Sequence, residues 1–307
     1  MHEHVHPFAG RFKVKWGKRS AWIGVHPAIS NKPMDDGRDI FTYVFDALRT
    51  FEAQAIPAIP LGAPPPIIAA VKSISAQDGM GVALSLHLED LMVPNVLQKI
   101  ADLAIALDLP LDDIDLVIDL LSPNYQPYET FAAALIAVLA PLGNLNAFRN
   151  FVVISTAIPP SLKDVAKGTA QLPRHDWLFY RKLLAGLPAG MRAPVYGDYT
   201  IVHPEFAALD MRLVKAAGKL IYTGPGVWEV RKGGSFRDDP TQMHDHCAAI
   251  LASGNFSGVG FSQGDDYIAQ CAAKAAGPSS LTWWKYVTIN HHITFVLRDL
   301  ATLAGSP

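Results

Sequence analysis

The stretch Ile114-Asp115-Leu116-Val117-Ile118-Asp119-Leu120 decides the predicted fold. Aliphatic side chains stand at every second position, which indicates a β-strand because successive side chains of a strand point to opposite faces. The other face carries Asp115, Val117 and Asp119, and Asp119 lies at the C-terminal end of the stretch. The pattern predicts a buried strand that packs one face on helices and turns two carboxylates the other way.

Comparable runs recur along the chain and alternate with amphipathic segments, which is typical of parallel strands joined by helices. The eight predicted strands are Phe12 to Trp16, Ala55 to Leu61, Gly81 to Leu88, Ile114 to Leu120, Phe151 to Ile158, Pro194 to Ile201, Lys219 to Thr223 and Gly258 to Ser262. Helices are predicted at Asp39 to Ala53, Pro66 to Ser75, Leu91 to Leu107, Tyr128 to Ala140, Asp176 to Leu187, Pro204 to Ala217, Pro240 to Ala252, Asp265 to Ala275 and Ser279 to Leu303.

Eight such units predict an α/β fold of the closed (β/α)₈ TIM-like barrel type. We expect a single domain over residues 11–307, a flexible N-terminal tail over residues 1–10, and a lid in the loop Gly17 to Gly37. The rival architecture is an open doubly wound sheet, which ranks second because no Gly-x-Gly-x-x-Gly follows the first strand. The same absence leaves no nucleotide-cofactor motif, and the cofactor stays unassigned.

Composition restricts the classes of function. The chain has 307 residues, of which 50% are hydrophobic, and a formal net charge of -2. Two cysteines, Cys247 and Cys271, are too few for a disulfide framework, which favours a reducing cytoplasm. No apolar run reaches the length of about 18 residues that a membrane span needs, and no secretory signal is evident. The charge does not support a nucleic-acid partner, and the oligomeric state is left open.

Strand parity nominates catalytic residues. In a barrel, inward side chains at the C-terminal strand ends meet at the face where barrel enzymes build their sites. The parity rule places Lys15, His87, Asp119 and Asp198 there. Asp119 or Asp198 is the expected general base, His87 a proton shuttle, and Lys15 a partner for an anion or oxyanion.

Further residues are expected to contact a small polar or anionic ligand. Lys13, Ser155, Tyr222 and Ser262 are nominated on the predicted strands, Asp265 directly after the eighth strand, Tyr199 after Asp198, and His291 on the final helix. The competing interpretation is structural: an ion pair between Lys15 and an aspartate, with hydrogen-bonded polar side chains, would close the barrel without any chemistry.

Two histidine pairs suggest metal binding at first, and we expect no metal at either. His244 and His246 are two residues apart in a predicted helix, so their side chains point about 200° apart. His291 and His292 lie on adjacent helical faces, so at most one should point inward. The glycines around Val227 to Val230 could expose amides to an anion, but the alternation of that segment favours a plain β-hairpin.

Four segments resemble the beta protein family of phages and bacteria. They are Phe12-Lys13-Val14-Lys15, Gly197-Asp198-Tyr199, Phe261-Ser262-Gln263-Gly264-Asp265-Asp266-Tyr267-Ile268 and Asn290-His291-His292-Ile293-Thr294. The resemblance runs over nearly the whole chain, and it implies a barrel-like fold and involvement in phage–host conflict. It implies no established chemistry.

Two functions follow as hypotheses. The first is an enzyme, hydrolase-like, that acts on a small polar or phosphate-bearing ligand through the strand-end Lys, His and Asp residues. The alternative is a non-catalytic component of a phage or anti-phage defence system that binds a ligand or another protein.

Overall fold

A computed structural model describes residues 2–205 and 215–305. Nine strands lie in these ranges: β1 Ala21–Gly24, β2 Ala55–Pro60, β3 Val82–His87, β4 Ile114–Asp119, β5 Asn150–Ser155, β6 Gly168–Pro173, β7 Val195–Asp198, β8 Ala217–Gly224 and β9 Val227–Ser235. Twelve α-helices accompany them: α1 His2–Val5, α2 Phe8–Lys15, α3 Pro27–Ser30, α4 Ile40–Arg49, α5 Pro65–Asp78, α6 Leu88–Leu91, α7 Val96–Leu107, α8 Tyr128–Leu139, α9 His175–Gly186, α10 Gln242–Ala252, α11 Gln263–Ala272 and α12 Leu281–Leu303.

The chain divides into two compact units, each built from several segments. The first unit contains Met1–Leu120, Glu129–Ile154 and Lys182–Gly197. The second contains Leu121–Tyr128, Ser155–Arg181 and Asp198–Pro307. Residues 2–10, expected to be a tail, form α1 and the start of α2. That this segment is flexible stays a prediction.

The first unit is built on an open six-stranded sheet in the order β1-β2-β3-β4-β5-β7. Neighbours from β1 to β5 pair in parallel. All residues of β3 and β4 are buried except Ser85, His87 and Asp119, which are half-buried. Such two-sided burial is expected where helices cover both faces of a parallel sheet. Within these two strands, only Ser85 and the two carboxyl-terminal residues are partly exposed to solvent.

The predicted closed (β/α)₈ barrel is wrong, because the sheet has two ends and six strands. Five of the predicted strands match β2, β3, β4, β5 and β7. The first predicted strand, Phe12 to Trp16, is the end of helix α2 and its cap. Phe8, Phe12 and Trp16 are spaced by four residues, and their rings lie 6.1 and 6.4 Å apart along the helix. These aromatic residues therefore follow a helical period. The strand prediction arose because Phe12, Val14 and Trp16 also stand at every second position.

The seventh predicted strand exists, but in a separate sheet. β8 pairs with β9 antiparallel, and β9 pairs with β6, in a three-stranded sheet of the second unit. Pro225 and Gly226 form the loop between β8 and β9, and Gly226 has a φ of 70°. A two-residue loop with a left-handed glycine is a hairpin turn. The hairpin predicted from Val227 to Val230 is thus confirmed, and it replaces the barrel strand.

The eighth predicted strand, Gly258 to Ser262, is a turn that leads into α11. Gly258 and Gly260 have φ values of 101° and 81°, which break an extended run. Ser262 is the N-cap of α11, and its hydroxyl accepts a hydrogen bond from the amide of Asp265.

Strands β1 and β6 were not predicted, and β1 lies in the segment expected to be a lid. The helix predicted over Pro204 to Ala217 falls mostly outside the described residues.

Helices α10, α11 and α12 pack with β8 around one apolar cluster of the second unit. Its buried members are Leu220, Tyr222, Met243, Cys247, Ile250, Ile268, Cys271, Trp284 and Val287. The helices predicted at Pro240 to Ala252, Asp265 to Ala275 and Ser279 to Leu303 are confirmed by α10, α11 and α12. In the part of the chain that the structure describes, no helix is both long and apolar enough to cross a membrane.

Candidate functional site

His87 and Asp119 lie side by side at the carboxyl edge of the parallel sheet in the first unit. His87 is the last residue of β3, Asp119 is the last of β4, and the two are partners in the strand register. Paired residues of neighbouring strands project their side chains from the same face. Both residues are half-buried. The two sequence-nominated catalytic groups are therefore neighbours where ligands of α/β sheets bind.

A hydrogen bond fixes the proton on the His87 ring. Nδ1 of His87 lies 3.1 Å from the backbone carbonyl oxygen of Asp119. A carbonyl oxygen only accepts, so Nδ1 carries the hydrogen and donates it. In the neutral ring the lone pair then resides on Nε2. The amide nitrogen of His87 also donates to the Asp90 carboxylate, at 2.8 Å, at the start of α6. The first bond orients the half-buried imidazole, and the second fixes the backbone that carries it.

Asp115, at the other end of β4, is bound to protein groups on both carboxylate oxygens. Arg149 Nε and Nη2 donate to its two oxygens, each at 2.7 Å. Trp22 Nε1 and Asn150 Nδ2 add further bonds at 2.7 Å. Burial raises the pKa of Asp115, but the hydrogen bonds of Arg149, Asn150 and Trp22 outweigh it and hold the pKa below its usual range. This carboxylate has no free oxygen for chemistry.

Lys13 and Lys15 are placed on helix α2 and not on a strand. Both side chains are exposed. The Lys13 ammonium lies 4.9 Å from the centre of the Phe51 ring. The backbone carbonyl of Lys15 accepts a bond from Arg19. The parity rule that turned these lysines inward does not apply, because a helix has no two-residue period.

Asp198 ends β7 and belongs to the second unit, where it contacts His292. His292 Nε2 lies 2.9 Å from Asp198 Oδ2, and the side chain of Asp198 is 10% exposed. The amide of Thr200 donates to Asp198 Oδ1 at 2.8 Å. Nδ1 of His292 is 2.9 Å from the hydroxyl of Thr223. This carboxylate is thus held by a ring and a backbone amide.

A second group of nominated residues meets inside the second unit. Asp265 accepts from the Tyr222 hydroxyl at 2.6 Å and from the Ser262 hydroxyl at 2.6 Å. Nδ1 of His291 lies 2.9 Å from Asp265 Oδ2. The Tyr222 and His291 rings are stacked, with centroids 3.8 Å apart. Sequence analysis therefore nominated four residues that do form one cluster, although the closed barrel in which they were expected to meet is wrong.

The His291 ring faces an oxygen acceptor on each side. Nδ1 faces the Asp265 carboxylate, and Nε2 is 2.9 Å from the carbonyl oxygen of Thr223. Because a carbonyl oxygen only accepts, Nε2 donates its hydrogen to Thr223. Burial raises the pKa of Asp265, but the hydrogen bond and charge of His291 prevail and leave the pKa lowered. Burial, together with the bond to Asp265, raises the pKa of Tyr222.

Three residues of this cluster, Tyr222, Asp265 and His291, are fully buried. Thr223, whose carbonyl oxygen faces the His291 ring, is fully buried as well. A catalytic group must reach a substrate, so a closed and satisfied network fits a structural role. Sequence analysis did not nominate His292, because adjacent histidines of a helix were expected to point apart. It did not nominate Thr223 either. Both His291 and His292 are buried, since the wide inner face of α12 accommodates each ring.

Two further nominated residues lie at or next to strand ends. Ser155 is buried at the end of β5, and Tyr199 is half-buried directly after β7. As for metals, no group of three or more His, Cys, Asp or Glu side chains within residues 2–205 and 215–305 could hold an ion. His244 instead points its Nδ1 at the carbonyl oxygen of Cys271, at 2.6 Å.

Comparison with known proteins gives one match. No curated protein and no solved structure matches the chain. A family model described as Beta protein matches residues 1–298 of the 307. That match covers both units, and it confirms the resemblance carried by the four segments quoted above. The chain belongs to the Beta protein family.

Proposed function

We propose that this protein is an acid–base enzyme, hydrolase-like, whose general base is His87 at the carboxyl edge of the parallel sheet. The observation that carries the proposal is the bond from His87 Nδ1 to the Asp119 carbonyl. When the half-buried ring is neutral, this bond leaves the lone pair on Nε2, which can then accept a proton. Imidazole is the commonest general base in enzymes, and a positioned base contributes about 10²–10⁴-fold to a rate.

The chemistry assigns one step to each group. His87 Nε2 removes a proton from a water molecule or a substrate hydroxyl, and the oxygen attacks the substrate. The ring becomes an imidazolium, which the neighbouring Asp119 carboxylate stabilises by its charge. The same ring then returns the proton to the leaving group. The substrate is a small polar or phosphate-bearing molecule that enters at the strand ends.

Lys15 and Asp198 have no step in this proposal. Lys15 projects into solvent from α2, so it is not held against a reacting atom. Both oxygens of Asp198 are engaged by His292 and Thr200. The proposal therefore narrows the four nominated catalytic residues to the pair that shares a strand register.

A panel of p-nitrophenyl esters and phosphate esters tests the proposal on the full chain. His87→Gln should lower kcat/KM by about 100-fold or more, since the base is lost. His4→Gln, at an exposed histidine, is the control and should leave the rate unchanged. If His87→Gln hydrolyses every accepted substrate as fast as the unaltered chain, the proposal is wrong. Turnover of no substrate would favour the alternative, a binding component of a phage or defence system.

A further inference from the structure

An aromatic groove lies on the surface of the second unit, between helices α11 and α12. Its cavity is about 190 Å³. Three rings and three polar side chains line it: Tyr267, Trp283, Tyr286, Gln263, Asp266 and Gln270. Trp283 and Tyr286 are 39% and 45% exposed. Large aromatic side chains usually bury their rings, so two exposed rings at one groove need a reason.

The rings form two walls. Trp283 and Tyr286 are stacked with centroids 5.1 Å apart, and Tyr267 meets Trp283 edge-on, 5.3 Å away at 71°. Hydrogen bonds hold the walls in place: Tyr267 donates to the carbonyl of Gly277 and Tyr286 to the side chain of Gln263. The groove is thus preorganised, with ring faces and ring edges at a large angle.

Charge decides which ligand suits these walls. Asp266 supplies a carboxylate at the rim, and among the described lining residues none is basic. Asp265, next to it, is buried against His291 and does not reach the groove. Lys285 also lies on α12, but it is exposed and does not line the groove. An anion would meet a carboxylate here, whereas a cation would meet a carboxylate and the negative faces of the rings.

We propose that this groove binds a small organic cation of the quaternary ammonium class. Aromatic ring faces are the means by which proteins recognise such cations, and the Asp266 carboxylate adds a negative charge at the rim. The cavity is smaller than the range of about 300–1,000 Å³ that holds drug-sized ligands, so it fits a headgroup-sized molecule. The site lies wholly in the second unit and does not depend on His87 or on the proposed hydrolysis.

Choline is the probe, and 3,3-dimethyl-1-butanol is its uncharged counterpart of equal shape. Titration of the full chain, followed by tryptophan fluorescence and calorimetry, should show saturable choline binding in the millimolar range. The uncharged alcohol should bind at least about fivefold more weakly, because it lacks the attraction between a cation and the rings. Equal affinity for the two probes would overturn the proposal, as would the absence of saturable choline binding.

Variants localise the site. Trp283→Ala should weaken choline binding about fivefold, and Asp266→Asn about threefold. Trp16→Ala removes a tryptophan that is 41% exposed in the first unit. It should leave the affinities for choline and for 3,3-dimethyl-1-butanol unchanged. If Trp283→Ala does not fold by circular dichroism, Asp266→Asn decides the matter. Unchanged affinity in Asp266→Asn, or binding of methyl glucoside in place of choline, would contradict a cation site.

Discussion

The two ends of strand β4 carry the same residue type in opposite situations. Asp115 and Asp119 are four residues apart on one face of one strand. At the amino end, Arg149, Asn150 and Trp22 bind the Asp115 carboxylate. At the carboxyl end, Asp119 lies half-buried beside His87. The difference teaches that strand position, more than residue type, decides the surroundings of an acid: one lies among donors that stabilise the fold, the other beside an imidazole at the edge where ligands of α/β sheets bind.

Removing Asp115 should give the largest effect on stability. Asp115→Ala leaves the Arg149 guanidinium partly buried, with 29% of its side chain exposed, and without its carboxylate. Breaking such a pair costs about 3 kcal/mol of unfolding free energy. Urea denaturation followed by circular dichroism measures it. A loss below about 1 kcal/mol, the usual range of a surface pair, would show that the amino end does not stabilise the sheet.

The stabilisation by Asp115 should depend on pH. Its pKa is lowered in the folded chain, so the benefit is complete above the unfolded value of about 4 and is lost as pH falls through the folded pKa. The difference in unfolding free energy between the unaltered chain and Asp115→Asn should therefore be flat from about pH 7 to 5 and shrink below about pH 4. A difference that grows on acidification would have the opposite sign and refute this assignment.

Trp22→Phe sharpens the comparison by deleting one donor. The indole nitrogen bonds to Asp115 Oδ2 at 2.7 Å, and phenylalanine keeps most of the ring. Loss of one bond to a carboxylate that keeps its other donors should cost about 1 kcal/mol. The cost should vanish when the same change is made in Asp115→Ala. Equal costs in both backgrounds would mean that packing of the ring, and not the hydrogen bond, accounts for the loss.

The carboxyl end should contribute less to stability than the amino end. Asp119→Asn is expected to cost less unfolding free energy than Asp115→Ala, because the side chain of Asp119 is half-buried and the amide keeps the size and most of the accepting capacity of the carboxylate. Its effect should appear in turnover, where the imidazolium of His87 loses a neighbouring charge. Denaturation and ester hydrolysis measured on the same preparation check both. A stability loss as large as that of Asp115→Ala would erase the distinction between the two ends.

Sequence alone predicted the centre of the sheet well. The alternation in Ile114 to Asp119, and the apolar run of Val82 to His87, gave both strands and so the neighbouring strand ends. The prediction failed where the same residues fit both a strand and a helix. Phe12 and Trp16 fit the two-residue period of a strand, and their spacing of four residues also fits a helix. It failed too where pairing is remote: nothing local shows that β6 pairs with β9 in a second sheet, where Gly168 is the register partner of Lys232.

The candidate site was predictable in part for the same reason. His87 and Asp119 followed from strand parity and adjacent strand order. The bond from Nδ1 to a backbone carbonyl did not, because it depends on the register between β3 and β4. The contact of Asp198 with His292 joins residues 94 positions apart, a separation over which sequence patterns give no geometry.

The protonation of the His87 ring tests the central claim most directly. Long-range ¹H–¹⁵N correlation spectra of ¹⁵N-labelled protein, assigned with His87→Gln, distinguish the two neutral tautomers. The hydrogen bond to Asp119 predicts that the neutral form of the ring carries its hydrogen on Nδ1 and leaves Nε2 unprotonated. A ring with its hydrogen on Nε2 would leave no lone pair where a substrate could meet it, and would contradict the assignment of His87 as the base.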